Sequence, residues 1–250
     1  MFRKIIKSII PKSILLVIKK KYNSFLLSKY KNLDTYDVFK KIYKQKVWTP
    51  EIDKKNKKFY SGLGSHLDEL TKPYINEVIN FLKRFDKKKE VLEVGCGDFV
   101  ISSQIAPYTK KYIAVDIFDE IIELNKKKYK DLNLDFRVLD LTKDQLPQSD
   151  ICIVRCVLQH LSNALIMRFL KNLPYSCEYL IVTEHYPPDN NEFVPNKDII
   201  TGPDIRLSQN SGVDLSMNPF NLKYINRLTL CKTSSPAVGG YLITEIYKLK

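Results

Sequence analysis

The apolar positions of the chain follow two patterns. Between residues 90 and 184, short continuous apolar runs alternate with stretches in which apolar residues recur every three or four positions. Continuous runs suit strands buried on both faces, and the three-to-four spacing suits helices with one buried face. The pattern predicts strands over 90–95, 111–116, 135–140, 150–157 and 178–184. Helices are expected over Phe99–Pro107, Phe118–Tyr129 and Asn163–Leu173, and another over Leu67–Phe85. Strand–helix alternation of this kind predicts an α/β fold built on a doubly wound, mainly parallel sheet. After residue 184 the alternation stops, and 186–222 is rich in Pro, Asn, Asp, Ser and Gly. A loop that long in a compact domain is commonly functional. Leu228–Lys232 and Tyr241–Leu249 then read as a closing antiparallel hairpin, which brings the sheet to seven strands.

The first strand runs straight into Glu93-Val94-Gly95-Cys96-Gly97-Asp98. That order is strand, tight turn, helix start, with Asp98 where a helix N-cap would stand. Glycines there let the backbone approach a ligand closely. Asp116 closes the next strand nineteen residues after Gly97. An acid so placed is set to accept hydrogen bonds from a ribose diol. A dinucleotide site would want a third glycine, but Val100 stands there. Asp98 would also be unwelcome beside a phosphate. A ligand with a ribose and no phosphate fits better, and S-adenosylmethionine is one.

Charge divides the chain. The formal net charge is +13, and residues 1–58 hold 17 Lys/Arg against 4 Asp/Glu. Residues 59–250 hold 24 of each. The reading is therefore a basic helical N-terminal extension, 1–58, before a catalytic domain, 59–250. In residues 1–30, Ile5, Ile6, Ile9 and Ile10 share a helical face among lysines. This stretch is too short and too charged to span a membrane, and no small-residue cleavage site comes after it. It would cover the core, meet a partner, or lie peripherally on an anionic membrane. A charge-balanced core disfavours nucleic acid as the acceptor. The five cysteines form no C-x-x-C pair, which points to a reducing, cytoplasmic setting. The three histidines show no H-E-x-x-H spacing, and no metal is expected.

The stretch from Glu90 to Glu184 resembles the core of class I S-adenosylmethionine-dependent methyltransferases. Val91-Leu92-Glu93-Val94-Gly95-Cys96-Gly97-Asp98 is similar to the first motif of that superfamily, and Ala114-Val115-Asp116 to its second. Phe136–Leu141 matches the strand whose following acid lies near the adenine, and Asp150–Leu161 matches the fourth strand with its His-Leu segment. Tyr60-Ser61-Gly62-Leu63-Gly64-Ser65 and Asn218-Pro219-Phe220-Asn221-Leu222 narrow the likeness to bacterial capsule and surface-polysaccharide methyltransferases. The resemblance implies a Rossmann-like fold and S-adenosyl-L-methionine as cofactor, released as S-adenosyl-L-homocysteine. It also implies a loop holding Tyr60 and Gly62 over the methionine end of the cofactor.

Ligands of open α/β sheets bind at the carboxyl ends of the strands. The residues expected there are Glu93, Gly95, Gly97, Asp98, Asp116, Ile117, Asp140, Leu141 and Arg155 for the cofactor. His160, His185 and Glu184 would supply the chemistry, and Tyr186 and Arg206 would touch the acceptor. A neutral hydroxyl acceptor calls for a base, and imidazole titrates in the right range. A phosphate-type oxygen would instead call for an arginine clamp. The leading expectation is O-methylation of a small molecule or glycan precursor. The alternatives are a nucleic-acid methyltransferase that grips phosphates with its basic N-terminus, and a non-catalytic binding protein.

Overall fold

The computed structural model describes residues 28–189 and 192–250. The amphipathic pattern of residues 1–27 lies outside them. Among the described residues no helix is long and apolar enough to cross a membrane.

Seven strands form one sheet: β1 Glu90–Val94, β2 Lys111–Asp116, β3 Leu134–Val138, β4 Ile151–Arg155, β5 Tyr179–Tyr186, β6 Asn226–Ser234 and β7 Tyr241–Lys248. Their spatial order is β3-β2-β1-β4-β5-β7-β6. The pairs among β1–β5 are parallel, while β7 runs antiparallel to both β5 and β6. The helices are α1 Thr35–Lys44, α2 Asp68–Leu82, α3 Ser102–Ile105, α4 Asp119–Lys128 and α5 Asn163–Lys171. This is the Rossmann-like doubly wound architecture with its closing hairpin.

The strands alternate between two cores, as a period of two requires. Val91, Tyr112, Ala114, Ile151, Ile153 and Ile181 face a cluster holding Tyr74, Ile75 and Val78 of α2 and Ile121 and Ile122 of α4. Leu92, Val94, Ile113, Cys152, Val154 and Leu180 face a second cluster with Ile166 and Phe169 of α5. Val91, Leu92, Val94 and Ile151 are fully buried. Each such side chain gains about 1.5–3 kcal/mol over exposure, so the central strands anchor the fold. All five cysteines are free thiols, three of them buried.

Helix α1 starts where the sequence permits: the Asp34 carboxylate accepts the Asp37 N–H at 2.8 Å. Its face holds Val38, Phe39 and Ile42 in the second cluster and Tyr43 in the first. The Tyr43 ring stacks on Phe118 at 5.3 Å and meets Phe59 edge-on at 6.0 Å. No separate core divides residues 35–58 from residues 59–250. Helix α3 begins later than the apolar spacing predicts, at Ser102, with Ile101 at its N-cap position, so Asp98 does not cap it. Strand β5 is longer than expected, because its end pairs with β7 (His185 beside Leu242, Tyr186 beside Tyr241).

Candidate active site

A cavity of about 390 Å³ opens at the carboxyl ends of β1, β2 and β4. That lies within the range of small-molecule sites. At its floor, Gly95 N–H and Cys96 N–H both donate to the Val115 carbonyl, at 2.8 and 3.0 Å. The turn is thus tied to the end of β2. Gly95 has φ +73 and Gly97 φ +54. A Cβ on Gly95 would sit 2.4 Å from Val157 Cγ2, and one on Gly97 2.3 Å from Ser61 Oγ. The glycines are needed because two neighbouring loops press on the turn.

Asp116 is buried at the end of β2. Its Oδ2 accepts Gly97 N–H and its Oδ1 accepts Phe118 N–H, both at 3.0 Å. Burial raises the carboxyl above its usual range, opposed by these backbone donors. Each oxygen keeps a further lone pair for a diol donor. Glu93 also lines the cavity, buried, with Ser102 Oγ donating at 2.6 Å and Tyr112 OH at 3.2 Å. Burial pushes its carboxyl up to about 7. Asp140 and Leu141 line the far wall. Asp140 Oδ1 accepts Thr142 N–H and Oγ–H at 2.8 and 2.7 Å. Its buried Oδ2 accepts no hydrogen bond, with Lys143 Nζ 3.5 Å away. An orphaned acceptor on that wall fits a ligand amino group. Ile117 lines the same side.

The loop over this floor is fastened through Asp98 and Arg155. Asp98 N–H donates to Ser61 Oγ at 2.8 Å, and its carboxylate accepts from Ser61 N–H at 3.3 Å and faces His66 Nε2 at 2.7 Å. Those partners, rather than a helix end, account for Asp98. Arg155 Nη2 donates to the Gly64 carbonyl at 2.8 Å, with the guanidinium 4.9 Å above the Tyr74 ring. Gly62 lines the cavity, whereas Tyr60 does not: its ring stacks on His66 at 3.9 Å and props the loop from behind. His66, which the pattern marks only as a helix opener, is therefore part of the loop's fastening.

Both histidines at the strand ends line the cavity, and the three other residues expected to supply the chemistry or touch the acceptor do not. His160 Nδ1–H donates to the Asp204 carbonyl at 3.2 Å, and its Nε2 faces Gln159 Nε2 at 3.3 Å. Burial lowers its pKa to about 4. His185 Nε2–H donates to the Gly239 carbonyl at 2.9 Å, which leaves Nδ1 as the ring's acceptor. Burial lowers its pKa too. Glu184 points the other way, as a strand neighbour must. Its oxygens accept Leu158 and Gln159 N–H at 3.0 and 2.8 Å, so it anchors the turn after β4. Arg206 is 1% exposed and directed away from the cavity, its N–H groups spent on protein oxygens. Tyr186 donates its hydroxyl to the Val213 carbonyl. None of these three reaches an acceptor.

Two further residues at the site, one lining the cavity and one behind the turn, carry no motif. Trp48 lines the wall, donates Nε1–H to the Pro203 carbonyl at 3.2 Å and lies 4.7 Å from the His160 ring. Asn125, in α4, donates to the Gly97 carbonyl at 2.7 Å and supports the turn. The only signal for Trp48 in the sequence is an aromatic residue in a polar stretch.

The residues therefore suit an adenosyl ligand: an acceptor-only carboxylate for a diol, an orphaned oxygen for an amino group, and no Lys or Arg at the Gly-x-Gly turn. Asp116→Ala is expected to weaken S-adenosylmethionine binding by about 1–3 kcal/mol, the scale of losing a charged hydrogen-bond partner. Titration calorimetry on the folded variant checks this, and unchanged affinity would remove the ribose role.

The family described as "Methyltransferase domain" matches residues 91–175. No curated protein matches the chain. Among solved structures, the N-methyltransferase NodS from Bradyrhizobium japonicum in complex with S-adenosyl-L-homocysteine is similar at 10% identity. It covers 74% of this chain and 90% of its own, with a TM-score of 0.55. A second NodS structure gives 13% identity, 74% and 100% coverage and a TM-score of 0.52. The PH0226 protein from Pyrococcus horikoshii gives 19% identity, 78% and 99% coverage and a TM-score of 0.51. At such identities the structures speak for the fold. The matched domain supplies the activity: the chain is an enzyme of the S-adenosylmethionine-dependent methyltransferase class, and S-adenosylmethionine is its cofactor.

Proposed function

We propose that this S-adenosylmethionine-dependent methyltransferase methylates an uncharged hydroxyl oxygen of a small molecule or glycan precursor, in the cytoplasm. The observation that carries the reading is His185: it lines the cavity, and its Nε2–H is held by the Gly239 carbonyl, so the ring presents Nδ1 as a base. S-adenosylmethionine brings a methyl group already activated on a sulfonium. The chain's own task is to position the acceptor and take up its proton. Asp116, Gly97 and Ile117 would hold the nucleoside, and the Ser61–Ser65 loop would close over the other end. His185 Nδ1 would receive the hydroxyl proton. A lowered pKa keeps the ring neutral at neutral pH, as a base requires.

Charge supports the same choice. Among the described residues lining the cavity, the one Lys or Arg is Arg155, which is engaged with Gly64, against Glu93, Asp98, Asp116, Asp140 and Asp204. A phosphate or a nucleic-acid backbone would meet there five carboxylates and a single guanidinium, Arg155, whose Nη2 is on Gly64 and whose buried Nε has no partner. The likeness of Tyr60–Ser65 and Asn218–Leu222 to surface-polysaccharide methyltransferases supports a sugar hydroxyl as the target. The test is turnover on uncharged hydroxyl acceptors, monitoring S-adenosylhomocysteine release and the methylated product. An ether that survives alkali is expected. An alkali-labile ester, or methylation at nitrogen, would refute the reading.

A further inference from the structure

Besides Asp140 and Arg155, two cavity residues to which the sequence assigned no role have buried polar atoms with no partner. Gln159 is 7% exposed and Ser235 is 1% exposed. Gln159 Oε1 and Ser235 Oγ are buried without a hydrogen bond, and both residues line the cavity. A buried unpaired polar atom costs about 1–3 kcal/mol, so two on one wall call for a ligand. The orientation of the Gln159 amide is set by its neighbour. His160 Nδ1–H is committed to the Asp204 carbonyl, so Nε2 is an acceptor. The amide turns its NH₂ to that nitrogen at 3.3 Å, which leaves Oε1 for something else. Ser235 opens the turn at the tip of the β6–β7 hairpin, with its N–H on the Gly240 carbonyl. The same turn supplies the Gly239 carbonyl that holds His185. The wall thus carries Gln159 and His160 from the turn after β4, His185 from the end of β5 and Ser235 from the hairpin.

We infer that Gln159 and Ser235 are acceptor-binding residues, and that they select an uncharged polyol that presents several hydroxyl donors. The inference rests on the O-methylation reading and names its substrate class. Gln159 Oε1 can only accept, and so can His185 Nδ1 once Nε2–H is committed. Ser235 Oγ can do either. A ligand must therefore bring at least two donors to this wall. A sugar ring with adjacent free hydroxyls does so, whereas a phosphate or carboxylate oxygen, being an acceptor, would find among these groups a donor only at Ser235. Discrimination of this kind is strong, because a site built for a hydroxyl rejects an analogue that leaves its polar groups unpaired.

The test uses the full chain loaded with S-adenosylhomocysteine. The probes are a panel of uncharged methyl glycosides and alditols, beside sugar phosphates and uronic acids of the same rings. Binding is read by saturation-transfer NMR, and turnover is measured separately with S-adenosylmethionine. At least one uncharged glycoside is expected to bind, with its phosphate and uronate analogues bound at least about tenfold more weakly. Gln159→Leu and Ser235→Ala are each expected to weaken that glycoside about tenfold, the scale of one unmade buried hydrogen bond. Affinity for S-adenosylhomocysteine should hold in both variants, which also shows that they fold. Equal or better binding of the anionic analogues, unchanged glycoside affinity in both variants, or no binding by any uncharged polyol would overturn the assignment. Glycoside binding that responds to Gln159→Leu without any methyl transfer would leave the subsite standing and refute O-methylation. Turnover with an unchanged KM in both variants would do the reverse.

Discussion

Replacing His185 by Ala is expected to lower kcat by about 10²–10⁴ with little change in cofactor affinity, the usual worth of a positioned base. His160 is the weaker candidate because both of its ring nitrogens are engaged, with Asp204 and with Gln159. His185 has its Nε2–H on Gly239, an arrangement that sets the tautomer and the ring orientation. The direction of the pKa shift sets the pH dependence. Burial lowers the His185 pKa, so the working neutral form persists below the usual histidine value. The rate should be flat near neutrality and fall as pH drops through that lowered value. A stopped assay of S-adenosylhomocysteine against pH, with wild type and His185→Ala compared, checks both points. A variant with near-wild-type turnover would show that another group takes the proton.

The second large effect is expected at a residue that the sequence places in the acceptor site and the structure places elsewhere. Arg206→Met should destabilise the fold by about 3–5 kcal/mol, because it removes a buried, fully bonded charge. Its Nε donates to the Lys197 carbonyl at 2.8 Å, and its Nη1 to the Leu158 and Gln159 carbonyls at 3.1 and 3.2 Å. Its Nη2 reaches the Leu161 carbonyl at 2.8 Å and Asn163 Oδ1 at 2.9 Å. The guanidinium therefore bolts the loop around 197–206 onto the turn after β4. Met keeps much of the volume but leaves those carbonyls unpaired. It also removes the positive charge that favours the ionised form of Glu184, whose carboxyl burial pushes up to about 8. A buried carboxyl with a raised pKa costs stability as pH rises from its ordinary value toward the raised one. Without Arg206 that loss should be steeper, so the variant should fall further behind wild type at pH 8 than at pH 6. Thermal melts at the two pH values read this directly. A melting point within a degree or two of wild type would show that the loop is held by other contacts.

Much of the cofactor half was legible in the sequence because its signals are local. A Gly-x-Gly turn, an acid closing the next strand and continuous apolar runs each depend on neighbours a few residues apart. They specified the strand–helix alternation, the central strands to within a few residues and the gathering of Gly95, Gly97 and Asp116 at one sheet edge. The parity of a strand also placed Glu184 and His185 on opposite faces, although which of them would face the cavity could not be read from the sequence.

The rest was settled by contacts between distant parts of the chain. Arg206 looks like a solvated loop charge until carbonyls from 158–161 surround it. Trp48 looks isolated until Pro203 and His160 meet it. The charge count separated 1–58 from the core, yet Val38, Phe39, Ile42 and Tyr43 pack into that core. Net charge reports the solvated face of a helix, whereas burial is settled by the other face. No sequence signal gave Gln159 or Ser235 a role, since an unpaired buried oxygen exists only once packing has removed its water. Local pattern was enough to specify the cofactor chemistry. Which side chains were left free for an acceptor depended on the folded chain, because each polar group's partner is chosen by what packs against it.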